Sequence, residues 1–420
     1  MTVITSASQP PVGAEEAASP LSAYARNYVG RIRGGDMGAL PAVLGLLVLC
    51  VGFSIARPAF LSAINFANLL AQGAAIVAIA MGLVFVLLLG EIDLSAGYAS
   101  GVCAAVLAVL LTEAHVPWYV ATLAALATGT LIGTAIGFLV AKVGIPSFVV
   151  TLAAFLGFQG VVLLLIKGGT NISVSDPTIQ IINFNGRLAP VVGWVLLIAS
   201  VAAFAAVRLA RRANRTRRGL AAEPLSVIAA RVGVLAVIGG VAVYVLNLER
   251  SRNPVVSLQG VPVVVLILGV LLVLWTFVLG RTAYGRHIYA VGGNKEAARR
   301  AGINVDKIRI SVFAIGSTMA AVGGIIAASR AGSVDPNTGG SNVLLYAVGA
   351  AVIGGTSLFG GKGRVLDAVL GGALMAVIDN GMGLMGYSSG SKYVFTGAVL
   401  LIAAGVDALS RRRAAAAGLR

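Results

Sequence analysis

Apolar runs of about 20 residues, the length that crosses a hydrocarbon core as a helix, recur from near residue 40 to near residue 409. A chain built this way folds in lipid as a helical bundle, because helices satisfy their own backbone hydrogen bonds where water is absent. Twelve runs stand out, at 40–56, 67–89, 95–112, 118–140, 147–167, 188–207, 230–247, 256–279, 308–329, 342–358, 364–385 and 392–409. Most are apolar on every side, which marks spans and not amphipathic surface helices. With 58% hydrophobic residues, 11% charged and a mean hydropathy of +0.95, the composition argues against soluble domains. The net charge of +16 would suit nucleic acid, but the basic residues lie scattered between apolar runs, so no nucleic-acid partner is expected.

The basic residues report topology instead. If the N-terminus is cytoplasmic, most of them fall in inner segments, including six arginines from Arg208 to Arg218 and seven basic residues from Arg281 to Arg309. The outer segments hold only Arg57, Lys167, Arg187, Arg250, Arg252, Arg330 and Lys392. The positive-inside rule then places both termini in the cytoplasm. The expected fold is all-α, a polytopic membrane helix bundle of about 12 transmembrane helices. Residues 1–38, with Glu15 and Glu16, are expected to be a disordered cytoplasmic tail, too long and acidic for a secretory signal. Residues 39–410 form the membrane domain, with a large inner loop at 280–307, and 411–420 a basic cytoplasmic tail. The two cysteines, Cys50 and Cys103, sit in apolar runs and suggest no disulfide framework.

Two loops exceed a turn. The outer one, Lys167 to Pro190, is polar and suits a soluble partner or an entrance. In the inner one, Lys295 to Arg300 predicts a short amphipathic helix, with Ala297 and Ala298 as a small packing surface and Gly302 as its stop signal. Topology requires charge in such a loop but no Glu-Ala-Ala helix closed by glycine, so it is expected to be an interaction surface.

Several motif matches carry no chemistry. Thr356 to Gly363 imitates a phosphate-binding loop around Gly361-Lys362, yet it has threonine for the opening glycine and glycine for the Mg-binding hydroxyl. Gly386 to Gly390 fits a nucleophile elbow but has no strand before it, and the only histidines, His115 and His287, are predicted on opposite faces. Gly129, Gly133 and Gly137 share one helix face and let a neighbouring backbone approach closely. Glu91 and Asp93 lie between apolar spans with almost no loop, near a helix start that Ser95 could cap; capping at the water interface and a functional role both stand open. Asp379 falls about five residues from the middle of its span, beside Asn380, with no basic neighbour in sequence, which makes it a candidate for a pathway or a polar packing network.

Four segments in order carry a resemblance: Glu91 to Ser95, Pro146 to Leu152, Tyr289 to Val305 and Ile353 to Leu358. Together they resemble the monosaccharide branch of ATP-binding-cassette importer permeases over most of residues 60–409. Within it, the connection near Arg208 to Gly219, the two extra spans up to residue 279, Asn247 to Pro254, and Asp379 to Met382 are most similar to the D-xylose permeases. The resemblance implies a channel-forming subunit of the bacterial inner membrane that has no catalytic residues, cofactor or metal of its own. It would receive a monosaccharide, D-xylose or a related pentose, from a periplasmic binding protein, pair with a second copy of itself, and be opened by cytoplasmic ATPase subunits that bind ATP and Mg. It also implies an ATPase-coupling segment of Gly293, Asn294, Glu296, Ala297, Ala298 and Gly302. Glu91, Asp93, Phe158, Gln159, Ser341, Asn342, Asp379 and Asn380 are the candidate pathway or gating residues, with core packing the competing role for Phe158. The rival is a proton-coupled secondary sugar transporter, which is expected to carry a basic motif after its second helix; Gly90 to Leu94 has no basic residue.

Overall fold

The computed structural model describes residues 38–416 apart from 221, 252–254 and 256. The predicted tail at 1–38, except Gly38, and residues 417–420 of the predicted basic tail lie outside the described residues. Helices run α1 Leu40–Ala56, α2 Ala63–Leu88, α3 Ala96–Thr112, α4 Trp118–Phe138, α5 Ser147–Leu165, α6 Pro177–Asn183, α7 Pro190–Arg217, α8 Leu225–Asn247, α9 Val263–Arg281, α10 Ala283–Gly293, α11 Lys295–Arg300, α12 Val305–Ala331, α13 Ser341–Gly354, α14 Val365–Leu384 and α15 Ser389–Ala416. Every predicted run is present as a helix. Among the described residues, eight helices are long and apolar enough to cross a membrane: α2, α4 with the π turn that extends it, α5, α7, α8, α9, α12 and α14. The apolar parts of α1, α3, α13 and α15 are shorter.

Boundaries moved where a local signal outweighed hydropathy. The sixth run ends at the first arginine, but α7 continues to Arg217, because Ala and Arg favour helix whether or not lipid surrounds them. The run at 256–279 becomes a helix only from Val263, after Gly260 at φ +100° and Pro262. The run at 342–358 stops at Gly354, since Gly355 turns to φ +121°.

α2 and α12 are the axis of the bundle. From Val77 to Leu89 every residue of α2 and its cap is buried, the pattern of a helix with neighbours all round. α12 packs on α2, α3 and α4, and α14 packs on α2 and α13. The predicted glycine face is the α4 seam: a Cβ on Gly129 or Gly133 would lie 2.6 Å or 2.2 Å from the carbonyl oxygens of Ser317 and Phe313. Small residues let these backbones touch. α7 and α8 pack as a hairpin at the periphery and leave Val191, Ile198, Val237 and Ile238 exposed, as lipid-facing side chains must be.

The outer polar loop proves to be a folded element. Asp176 caps α6 through the amides of Thr178 and Ile179, with Pro177 at its first position. Ile172–Ser173 (β1) pairs antiparallel with Ser333–Val334 (β2). The Ser329 hydroxyl donates to the Ile179 carbonyl at 2.6 Å and accepts from the Asn183 amide at 2.9 Å, which pins α6 to α12.

Candidate functional site

Glu91, Lys295 and Arg309 meet at the end of the bundle that the positive-inside rule assigns to the cytoplasm. Lys295 Nζ and Arg309 Nη2 each lie 2.8 Å from Glu91 Oε1, and the Glu91 side chain is only 6% exposed. One carboxylate thus ties the connection after α2 to the first residue of α11 and the first turns of α12. Burial by itself would raise the Glu91 carboxyl, but hydrogen bonds from Lys295 and Ser147 and the charges of Arg309 and Lys295 outweigh it and hold the group below its ordinary range.

Around this triad the backbones fit together through glycine. The Gly361 amide donates to the Leu88 carbonyl at 2.8 Å. A Cβ on Gly292 would lie 1.8 Å from that same carbonyl oxygen and 2.9 Å from the Gly361 nitrogen, so only glycine fits there. The ends of α2 and α10 and the 354–363 connection therefore form one junction. Thr356 and Ser357 in that connection are buried, as non-helical backbone at this depth requires.

The predicted helix in the 280–307 loop is present as α11. The Asn294 side chain accepts from the Ala297 amide at 2.9 Å and caps it. Gly302, at φ +81°, ends it, with the Ile303 amide donating to the Ala298 carbonyl at 3.1 Å. Ala298 is buried, whereas Glu296 and Arg299 pair at 2.8 Å on the exposed face. Nothing lies within 4 Å of a Cβ on Gly293, so the tight contact belongs to its neighbour Gly292. Gly292, Lys295 and Arg309 are the residues that sequence reading missed; the glycine pair and the basic loop were visible, their partners were not.

Asp93 and the start of α3 lie deeper than a surface cap. A Cβ on Gly323 would touch Ile79, and one on Gly324 would touch Ser100, so Ser100 is level with Ile79. Ile79 stands nine residues up α2 from Leu88, ~14 Å by helical rise, near the middle of a ~30 Å core. Ala96 then starts ~8 Å inside, and Gly90 to Ser95 climbs to it without helix. Ser95 makes no side-chain cap. Asp93 holds Ser95 itself: its Oδ1 accepts from the Ser95 amide at 2.8 Å and the Ser95 hydroxyl at 2.6 Å, and it is 1% exposed. From the other end, Thr338 to Gly340 dips in to meet the first turns of α3, since a Cβ on Gly101 would lie 2.1 Å from the Thr338 carbonyl oxygen. α3 and α13 therefore begin side by side inside the bundle, a broken-helix arrangement found where solutes cross membranes.

The remaining candidates fall into separate groups. Asp379 gains a basic partner that its own segment lacks: Lys392 of α15 reaches it at 3.1 Å, and Gln72 of α2 hydrogen-bonds its other oxygen. Asn380 exchanges two amide hydrogen bonds with Asn65, both 2.9 Å. Asn342 bonds the Tyr393 hydroxyl, and Ser341 opens α13. Phe158 packs against the core and Gln159 is half-buried beside it, both on α5, which packs on α3.

Comparison with known proteins gives a consistent result. A family model described as branched-chain amino acid transport system / permease component matches residues 65–404. The chain is 38% identical over 356 residues to the xylose transport system permease protein XylH of Escherichia coli strain K12, covering 84% of this chain and 87% of that one. XylH of Haemophilus influenzae is 35% identical over 372 residues, 88% of this chain and 96% of the relative. The ribose import permease protein RbsC of Escherichia coli strain K12 is 30% identical over 367 residues, 87% of this chain and 92% of the relative. No solved structure matches.

Proposed function

We infer the function from one premise: the chain belongs to the branched-chain amino acid transport system permease family, and it is a multi-pass permease of the bacterial inner membrane. Its cargo is a monosaccharide, D-xylose or a related pentose, which rests on the three sugar permeases named above. The energy comes from separate cytoplasmic ATPase subunits that bind ATP and Mg, and the sugar from a periplasmic binding protein. A second copy of the chain completes the channel. The observation that carries this reading is the Glu91 bridge: α11 is compact, exposed on one face, and tied by a buried carboxylate to the α2–α3 connection that leads to the broken helices. A subunit that pushes α11 thereby moves the start of α3, because the link between them is a buried ion pair and not a flexible loop. Gly293, Asn294, Glu296, Ala297, Ala298 and Gly302 serve in coupling, and Asp93, Asn342, Asp379 and Asn380 line or gate the path. A proton-coupled carrier is the alternative, and its signature would be uptake without ATP.

Reconstituted alone, the protein is expected neither to hydrolyse ATP nor to accumulate xylose in proteoliposomes; both activities should appear once a matching ATPase and binding protein are added. Uptake driven by a proton gradient in the absence of both partners would overturn the assignment.

A further inference from the structure

The α7–α8 hairpin, at the periphery of the bundle, carries a feature apart from the Glu91 bridge. An apolar cleft of about 390 Å³ runs between the two helices, lined by Trp194, Leu197, Val201, Ala205, Ala236 and Gly240. Trp194 to Ala205 covers ~16 Å of helix by rise, close to the ~15 Å of one leaflet's hydrocarbon. Small side chains on both walls keep it open. The same helix face continues without a break into arginine, since Val201, Ala205, Arg208, Arg212 and Arg215 follow one another at four- and three-residue spacing.

The charge at the cytoplasmic end of the cleft is one-sided. From Arg208 to Arg231 the chain has seven arginines and a single carboxylate, Glu223. That carboxylate already holds Arg208 at 3.5 Å and Arg231 at 2.5 Å, while Arg212 bonds the Glu223 backbone carbonyl. Arg211 lies within range of the like charges of Arg281 and Arg208 as well as of the Glu223 carboxylate, so the one carboxylate is shared among several cations. Cations gathered beside an apolar slot at the inner surface need an anion that has its own hydrocarbon, and clusters of this kind recognise acidic headgroups.

We propose that the α7–α8 cleft binds an anionic phospholipid of the inner leaflet, one acyl chain lying between Trp194 and Ala205 and the phosphodiester held by Arg211, Arg212 and Arg281. Guanidinium groups suit that phosphate because they donate in a planar fork.

Native mass spectrometry of the purified full chain in detergent tests it, with phosphatidylglycerol and phosphatidylcholine as probes. The wild type is expected to retain phosphatidylglycerol and not phosphatidylcholine, with inorganic phosphate alone giving no adduct. Arg211→Gln with Arg281→Gln removes two of the clustered charges, and retention should fall about fivefold for each. Ala205→Trp fills the cleft and should release the lipid while leaving the arginines in place. Equal retention of the two lipids, or retention unchanged in both variants, overturns the proposal. So does a change of oligomeric state in Ala205→Trp with lipid binding intact, which would assign the cleft to a second copy of the chain.

Discussion

Glu91→Gln is expected to lower sugar uptake by the assembled transporter more than tenfold while ATP hydrolysis persists. The substitution keeps shape and removes charge, leaving Lys295 and Arg309 facing a buried position without a counter-ion. Removing one partner of a buried ion pair costs about 3 to 5 kcal/mol; Lys295 is 43% exposed, so about 2 kcal/mol is the discounted figure. A loss of about 2 kcal/mol corresponds to more than a factor of ten in the equilibrium that the bridge supports. The exposed Lys142 to Asp306 pair, 2.9 Å long, is the control, and Lys142→Gln should alter uptake by less than about twofold. The pH sign follows from the depressed Glu91 carboxyl: its stabilisation is fully present above the ordinary carboxylate value and is lost as pH falls through the lower folded value. The bridge is therefore intact throughout the neutral range and weakens only in acid below the ordinary carboxylate value. Uptake by Glu91→Gln within twofold of wild type would remove the bridge from the mechanism.

The second large effect is expected at Gly292. A methyl group there would sit 1.8 Å from the Leu88 carbonyl oxygen, and both obstacles around it are backbone, so α10 must move away and the hydrogen bond from Gly361 to Leu88 opens. Overpacking of this kind costs about 1 to 3 kcal/mol. Gly292→Ala should lower the thermal unfolding temperature and reduce uptake at least fivefold. Gly293→Ala, with open space around its Cβ, should change neither by much. Equal behaviour of the two variants in unfolding and uptake would show that the junction is not rigid.

Much of the fold was legible because hydropathy reports a one-body property, the match of each segment to lipid. All twelve runs are helices, the Gly129 to Gly137 face is a close helix seam, and α11 stands where the Glu-Ala-Ala stretch and its stop signal Gly302 predicted. Even α6 had a readable start in Asp176-Pro177, which the polarity of its surroundings concealed. The site was less legible because it is made of pairs. Glu91 and Lys295 are 204 residues apart, and Asn65 and Asn380 are 315 apart. Nothing local in either member names the other. The depth of Asp93 was hidden for a related reason: a short polar stretch between two apolar runs looks like a surface turn until packing shows that the following helix begins inside the bundle.

The central claim is that force enters through α11 from the cytoplasmic side, and a single cysteine tests it. Cys103 is buried and Cys50 is half-buried, so Glu296→Cys introduces an exposed thiol on the outer face of α11. In inverted membrane vesicles it should react with a membrane-impermeant maleimide and, with a bifunctional reagent, cross-link to the ATPase subunit. In intact spheroplasts it should stay unlabelled. Labelling from the outside of spheroplasts, or full reactivity in inverted vesicles with no ATPase cross-link, would contradict the account.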